Sequence, residues 1–459
     1  MAYKPDATKA NAIKNANTAQ ILNAIRNDGT EFYRSNVPVA QNTVASVRVV
    51  GSAILEYQAT KNEFLTALVN RIGRVLLTSK LYDNPWAMFK KGMLEYGESI
   101  EDIFVNIAKV HQFDPEVAET EVYKREIPDV RAAFYRLNYQ KFYKATISHD
   151  QLKQAFLSLE GVNELVAGIV DAMYTGAAYD EFQVMKYMLA REILDGNFYG
   201  VNVGAVSADN ASTIVSTIKG VANKLTFLTD NYNPAGVKTY SNFDDQYLIL
   251  NANFEATVGV NVLATAFNRT DAEFMGHRVL VDGFGDLDTD RLNMLFGGMP
   301  GYEEIGSADL QALNEIPGVT VDRNFFMIFD NLYNFTENYN GQGLYWNYFY
   351  HTWKTFAVSP FANRAVFTTA APGVTSVTVS PSAITLSKGA STQLSATVQT
   401  TDFAPQTVMW TSSSENTTVD ANGYVTVGAS ETNATVTITA TSTFDASKKD
   451  ECVITVSGN

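Results

Sequence analysis

The sequence predicts two units, an α+β domain over residues 1–371 and an all-β sandwich over residues 372–459. Three observations carry this reading. A helix-period apolar run occupies residues 162–195, aromatic and β-branched residues crowd 325–367, and the composition changes abruptly after Phe367. At 459 residues the chain exceeds one typical domain, and 46% hydrophobic with 18% charged residues is a globular composition.

The totals exclude some functions. A formal net charge of −15 argues against a nucleic-acid binder that works by phosphate neutralisation, which needs a basic face. The single cysteine, Cys452, excludes an internal disulfide framework and any multi-thiolate metal site. The first residues lack the apolar core of a secretory signal, and no run of about 18 apolar residues follows. The expectation is a soluble protein made and used without export.

In chain order, residues up to about 20 are rich in Ala, Asn, Thr and Lys, with Lys4, Lys9 and Lys14 opposed only by Asp6. They read as a mobile arm, either solvated or ordering against a partner. Over 62–77, Phe64, Leu65, Leu68, Val69, Ile72, Val75 and Leu76 share one side of a helix that packs on a core. Residues 80–128 then mix charges of both signs and are punctuated by Gly92, Gly97, Pro115 and Pro128, as a long excursion from the core would be. Within it Ser99-Ile-Glu-Asp102 resembles a capping box, whereas Ile103, Val105 and Ile107 alternate as a strand would; both readings stay open.

Ser148-His-Asp-Gln151 is a helix start in which Gln151 can reach back to the cap. Val162, Leu165, Val166, Ile169, Val170, Met173 and Ala177 keep the helix period, Val184, Met185, Met188, Leu189 and Ile193 resume it, and Gly196 suits the stop. This is either one long spine or two packed helices broken at Gly176. Residues 200–317 alternate short helices and strands, including strands at 246–250 and 277–281 and a helix over 253–267.

In 343–356, Leu344, Trp346, Tyr348 and Tyr350 load one strand face, and Tyr345, Phe349, His351 and Trp353 load the other. Such a strand belongs inside a sheet with both faces covered, by helices or by a neighbouring subunit. From Pro372 onward Ser, Thr and Val dominate, arginine disappears and short period-2 strands recur at sandwich spacing, with Trp410 where an immunoglobulin-like sandwich keeps its core tryptophan.

Catalytic constellations are sparse, and no catalytic, cofactor-binding or metal-binding residue is predicted. His111, His149, His277 and His351 are scattered and lack metal-ligand spacing. Asp282-Gly-Phe-Gly-Asp286-Leu-Asp288-Thr-Asp290 alternates carboxylates like a calcium loop, but such a loop starting at Asp286 needs glycine where Arg291 stands and glutamate where Gly297 stands. A solvated acidic loop is the expectation, with opportunistic calcium the alternative. Neither a nucleophile elbow nor a phosphate-binding loop occurs.

Six stretches carry a resemblance: NEFLTALVNRIG (62–73), DNPWAMFKKG (83–92), EVYKREIPDVRAAFY (121–135), VDGF (281–284), FFMIFDNL (325–332) and GLYWNYFYHTWKTFAVSPFAN (343–363). Together they resemble the major capsid proteins of small short-tailed phages with protein-primed DNA replication, the Salasmaviridae type infecting Gram-positive bacteria. VTSVTVSPSAITLSKGASTQLSA is similar to the first strands of a bacterial immunoglobulin-like group 2 domain, which ends members of that family. The resemblance implies an α+β Hong Kong 97-type capsid fold in residues 1–371 and an immunoglobulin-like sandwich in 372–459. Within the first unit it implies an N-terminal arm (1–45), an E-loop (about 80–128), a spine helix (about 162–195), an axial domain (about 204–317) and strands closing the peripheral domain (325–367). Residues 286–319 are longer than the family leads one to expect.

The implied function is a shell of hexamers and pentamers, icosahedral or prolate, around phage DNA. The implied partners are further copies, a scaffolding protein, a portal or connector and a head fibre protein, with DNA nearby but not specifically bound, no membrane and no cofactor. The implied location is the virion capsid, assembled in the host cytoplasm. The alternative is a bacterial cell-surface adhesin or carbohydrate-active protein carrying an immunoglobulin-like module.

Overall fold

The computed structural model describes residues 18–75, 83–94, 99–111, 128–157, 168, 171–207, 210–258 and 277–457. Four helices open it: α1 (Thr18–Asp28), α2 (Glu31–Asn36), α3 (Val44–Glu56) and α4 (Gln58–Val75). Thr30 and Thr43 cap α2 and α3 by accepting the Tyr33 and Ser46 amides. Ile21, Leu22, Ile25, Tyr33, Val47, Val50, Ile54, Phe64 and Leu65 are buried in one cluster. The arm expected over 1–45 is therefore helical and packed from Thr18 onward, because the spacing of Ile21, Leu22 and Ile25 gives that stretch a buried face. Residues 1–17 lie outside the described residues.

The helices cover one face of a four-stranded sheet in the order β1-β9-β10-β4, where β1 is Lys90–Met93, β4 Tyr139–Ser148, β9 Phe326–Asn340 and β10 Tyr345–Val358. The central strand β10 pairs with β9 and β4 along nearly its whole length. Trp346, Tyr348 and Tyr350 point into the helical cluster. A separate antiparallel ribbon joins β2 (Ile100–Val105) to β3 (Val130–Tyr135). This decides the ambiguity at 99–107 in favour of a strand. The excursion is also shorter at its root than 80–128, since Trp86 and Phe89 are sealed in the core and tilt against Phe326. Two isolated aromatic anchors three residues apart leave too little periodicity to read.

Ser148 and Gln151 form the expected capping box at the start of α5 (His149–Ala155). A π-helical turn over Asp171–Thr175 runs directly into the spine α6 (Gly176–Leu194), so the helix passes through Gly176 without a break. These 24 residues span about 36 Å. Gly196 has φ +67° and ends the helix: its amide reaches Ile193 O (3.1 Å) and the Asn197 amide reaches Glu192 O (3.0 Å), the paired bonds of a Schellman stop.

Beyond the spine lies a five-stranded sheet in the order β5-β11-β8-β6-β7: β5 is Tyr199–Asn202, β6 Gln246–Asn251, β7 His277–Val281, β8 Gly318–Asp322 and β11 Arg364–Thr368. Helix α7 (Ala211–Leu225) packs on one face through Ile214, Ile218 and Leu225. The spine, α9 (Thr289–Phe296) and α10 (Ser307–Asn314) cover the other, while α8 (Ala252–Val258) follows β6 directly. Every residue of β6, β8 and β11 is buried. Within one copy these strands are covered on both faces, whereas β10, expected to be covered by helices or by a neighbouring subunit, is sealed on one face. Likewise 325–367 serves two sheets, since β11 leaves the four-stranded sheet for the five-stranded one.

The C-terminal unit holds β12 (Gly373–Ser380), β13 (Ala383–Ser387), β14 (Ser391–Gln393), β15 (Ser395–Thr401), β16 (Val408–Ser412), β17 (Thr417–Val419), β18 (Tyr424–Val427), β19 (Thr435–Ser442) and β20 (Lys449–Ser457). Alternating Val425, Val427, Val436, Ile438, Cys452 and Ile454 fill its core. Trp410 is only half-buried, because β16 is the outer strand of β13-β20-β19-β16, and it rests on Gly423 rather than at the centre.

Candidate functional site

At the middle of the spine the helix is enclosed on all sides: every residue from Asp180 to Lys186 is buried. Four of these are polar, and each has been given partners. Glu181 accepts from Asn84 Nδ2 (2.7 Å) and from the ammonium groups of Lys90 (3.2 Å) and Lys354. Asp330 on β9 meets the same two lysines, Lys90 at 2.8 Å and Lys354 at 3.2 Å. The Tyr333 hydroxyl accepts from both at 3.3 and 3.2 Å. Two cations and two anions thus cancel inside the fold and tie together the root of the ribbon (Lys90), the sheet (Asp330, Lys354) and the spine (Glu181). Burial alone would push the Glu181 and Asp330 carboxyls up, but Lys354 and Lys90 outweigh it and hold both below the ordinary carboxylate range. Burial pulls Lys90 down, and Glu181 and Asp330 more than restore it.

Neighbouring Asp180 points the other way. It accepts from Tyr143 Oη (2.6 Å) and from the Arg291 guanidinium of α9, fixing the spine to β4 and α9. Farther along, Arg364 of β11 is buried between the Phe198 and Phe325 rings and donates to Glu192 at 2.7 Å. Burial lowers the Arg364 guanidinium to about 10, with Glu192 opposing.

The ribbon has two unlike faces. Its inner face is held to the same chain: Ser359 Oγ donates to Asp102 (2.7 Å), Phe104 stacks on Phe361 (5.6 Å between centroids) and Arg131 donates to the Ala235 carbonyl. A cleft of about 490 Å³ lies beside this contact, with Asp102, Asp245, Asp322 and Asn363 in its wall. On the outer face Ile103, Val105, Val130 and Phe134 are more than half exposed, with Ile107 and Val110 beyond them. The register Val105↔Val130 and Ile103↔Ala132 makes this face continuous.

The outer face of the four-stranded sheet is also open. Phe142 is 56% exposed and forms a ring cluster with Phe349 (5.7 Å) and His351 (5.6 Å), while Lys144 lies over Phe349. A face covered within the chain and an equally aromatic face left open on one strand is what the side-chain chemistry of 343–356 leads to when part of its cover comes from outside the chain.

The Phi29-like phage major capsid protein family model matches residues 22–368, and the bacterial Ig-like domain (group 2) model matches 373–450. The chain belongs to the Phi29-like phage major capsid protein family. The major capsid protein of Bacillus phage B103 is 36% identical over 439 residues, 94% of this chain and 91% of that one. That of Bacillus phage PZA is 35% identical over 438 residues, with the same coverage. That of Streptococcus phage Cp-1 is 27% identical over 285 residues, 59% of this chain and 77% of that one. Among solved structures, the capsid of Staphylococcus phage Andhra aligns with a TM-score of 0.49 at 15% identity, over 64% of this chain and 86% of that chain.

As a member of this family the chain is a phage major capsid protein with a C-terminal immunoglobulin-like module. It is a structural component of the virion capsid, self-assembling into a multimeric shell, and not an enzyme. The adhesin alternative is not favoured by these relatives. No helix among the described residues is long and apolar enough to cross a membrane.

The histidines lie apart. His149 faces Lys61 (3.4 Å), His277 reaches Asp244 O (3.1 Å) and stacks on Tyr247, His351 approaches Thr336 (3.4 Å), and His111 lies on an exposed stretch after β2. The acidic run serves the fold: Asp282 pairs with buried Lys186 (2.6 Å), Asp286 accepts from Asn314 (2.8 Å), and Asp288 caps α9 through the Arg291 amide (3.1 Å). Among the described residues no three His, Cys, Asp or Glu side chains gather as a metal site would require. The segment 286–319 is packed on the spine through Leu292, Ile305, Leu313 and Ile316.

The sequence reading missed Asp180, Glu181 and Lys186 as buried groups: on a period count Asp180 and Lys186 fall off the apolar stripe, whereas Glu181 falls on it, four residues from both Ala177 and Met185. Glu181 on the stripe was one available signal, and lysines and acids that interrupt the aromatic strands at Asp330 and Lys354 were another.

Proposed function

We propose that copies of this capsid protein close into hexamers and pentamers, and that these join into an icosahedral or prolate head around the phage DNA. The ring is made by a heterologous contact, in which one patch meets a different patch on the next copy and closure stops the series. The observation that carries this is the pair of uncovered faces: the apolar side of the β2–β3 ribbon, acting as the E-loop, reaches the open Phe142–Phe349–His351 face of a neighbour. The spine supports both, and residues 204–317 act as the axial domain around the capsomer axis. Strands β9 and β10 close the peripheral domain.

Assembly takes place in the host cytoplasm with a scaffolding protein and a portal or connector, and a head fibre protein attaches afterwards. An acidic chain suits an inner wall that must let DNA slide past without gripping its phosphates.

Negative-stain electron microscopy of the full chain co-expressed with its scaffold, together with sedimentation, tests the reading. Closed shells of uniform width are expected. Monomers at high concentration beside a folded scaffold would overturn it.

A second role, adhesion of the immunoglobulin-like module to host-surface glycan, is favoured by one observation: a groove of about 410 Å³ lined by Trp410, Gln393, Asn422, Ser395 and Thr407. An aromatic ring flanked by amides and hydroxyls can stack on a sugar and hydrogen-bond its edge. A glycan array probed with whole shells decides it; no binding removes this role.

A further inference from the structure

The immunoglobulin-like module meets the capsid domain through a loop whose backbone is unusual. Asp402 and Phe403 are consecutive non-glycine residues at positive φ, 51° and 60°, in a region that L side chains rarely occupy. The turn aims Phe403 out of its own module and against the core cluster of the capsid domain, while the adjacent Ala404 is sealed inside the module. Two residues further on, the Gln406 amide donates to Gly196 O (3.1 Å) and its side chain reaches Leu194 O (3.4 Å). These are carbonyls at the C-terminal end of the spine, where a helix leaves acceptors without intrahelical donors.

The receiving surface is shaped for this loop. A Cβ at Gly196 would lie 2.5 Å from Gln406 Cγ and 2.8 Å from Gln406 N, and one at Gly200 would lie 2.7 Å from Pro372 Cγ. Tyr199 of β5 packs on Phe444 of the module (5.5 Å). On the other side, only residues 369–372 separate β11 from β12. The module is thus fixed at three points, its short connector, the 402–406 loop and Phe444, and all lie on the end of the spine and its neighbouring strand.

We propose that the 402–406 loop is a latch: the module is seated on the C-terminal end of the spine, with Gly196 and Gly200 as the seat and Phe403 as the plug, so that spine end, β5 and module move as one body. The module is then a fixed buttress of each subunit and not a tethered appendage. Any change in the angle between spine and five-stranded sheet has to carry the module with it or release Phe403.

Hydrogen exchange on the unassembled full-length chain tests the latch independently of shell formation. In the wild type the amides of residues 195–202 and of Gln406 exchange together. Phe403→Ala speeds both sets by about tenfold, whereas the exposed Met409→Ala speeds neither. Faster exchange confined to residues 402–406, or no change at all, overturns the proposal. A measurement that needs no core variant stands beside it: a dye on Met409→Cys, with Cys452 buried, reports tumbling by anisotropy decay. Rotation at the rate of the whole chain is expected, and rotation at the faster rate of a free module overturns the latch.

Discussion

Replacing Lys354 with methionine takes one of two cations out of a buried set of four charges and leaves the methylene volume nearly unchanged. Lys354 and Glu181 are each 5% exposed, so the remaining carboxylates, Glu181 and Asp330, are left with Lys90 alone. At the 3.2 Å between Lys354 and Asp330 the gross attraction is about 5 kcal/mol at an effective dielectric of 20, and desolvation offsets part of it. Breaking a buried pair from one side costs about 3–5 kcal/mol; with Lys90 and Asn84 still in place, about 3 kcal/mol is expected. Adding Asp330→Asn restores neutrality, so the double variant recovers about half of that loss instead of adding to it.

Urea unfolding in a Trp410→Phe background reads only Trp86, Trp346 and Trp353, all in the capsid domain. The pH profile adds a second check. Glu181 and Asp330 are held low, so their contribution is present above the ordinary carboxylate range and is lost as pH falls through their folded values. Lys90 is held high, so its contribution is present below the ordinary amine range and is lost as pH rises through its folded value. Without Lys354, one of the two cations that hold these carboxyls low, the acid limb moves to higher pH. A single variant within about 1 kcal/mol of wild type, or a strictly additive double variant, would refute the argument that charge balance holds the cluster.

Three further outcomes are expected. Val105→Asp with Phe134→Asp, both on exposed positions, leaves the monomer within about 0.5 kcal/mol of wild type but stops shell closure in the co-expression assay; normal shells would show that the ribbon face is not a contact. The buried Tyr33 hydroxyl has no hydrogen-bond partner among the described residues, so Tyr33→Phe is neutral or stabilises by up to about 1 kcal/mol in urea, and a clear loss would contradict this. In the module the Ser414 hydroxyl, the Asn433 amide and the Thr417 hydroxyl hold the Glu431 carboxyl down at about 2. Its stabilisation therefore fades as pH falls from the carboxylate range toward that value, and Glu431→Gln flattens Trp410 fluorescence against pH over that window; coincident curves would count against it.

What the sequence made legible follows from periodicity. The module's strands, the capping box at Ser148, the stop at Gly196 and strands 246–250 and 277–281 all show a period or a local cap, and each is where the chain puts it. Trp86 and Phe89 were unreadable because two anchors make no period. The buried charges of the spine were hard to read for the opposite reason: the helix shows an apolar stripe, so Asp180 and Lys186, which lie off it, look solvated although the helix is enclosed on every side. The double load of β10 was legible as chemistry, with helices or a neighbouring subunit as its cover; within one copy the helices cover only one of its faces. Its second face is open within the chain, whereas β6, β8 and β11, which are modest in sequence, are sealed on both.

The open second face bears on how such a chain avoids closing its own surface. The outer β10 face and the ribbon's outer face are both apolar enough to bury, yet the monomer holds them apart, because Ser359, Phe361 and Ala235 fix the ribbon by its other face. A flexible ribbon could fold back on its own sheet and satisfy both surfaces within one copy. Pinning the root, through Lys90 in the charge cluster and Asp102 at Ser359, removes that option at the cost of directional contacts that only a polar set can supply. The same rigidity that holds the monomer's faces open makes their burial depend on a second copy.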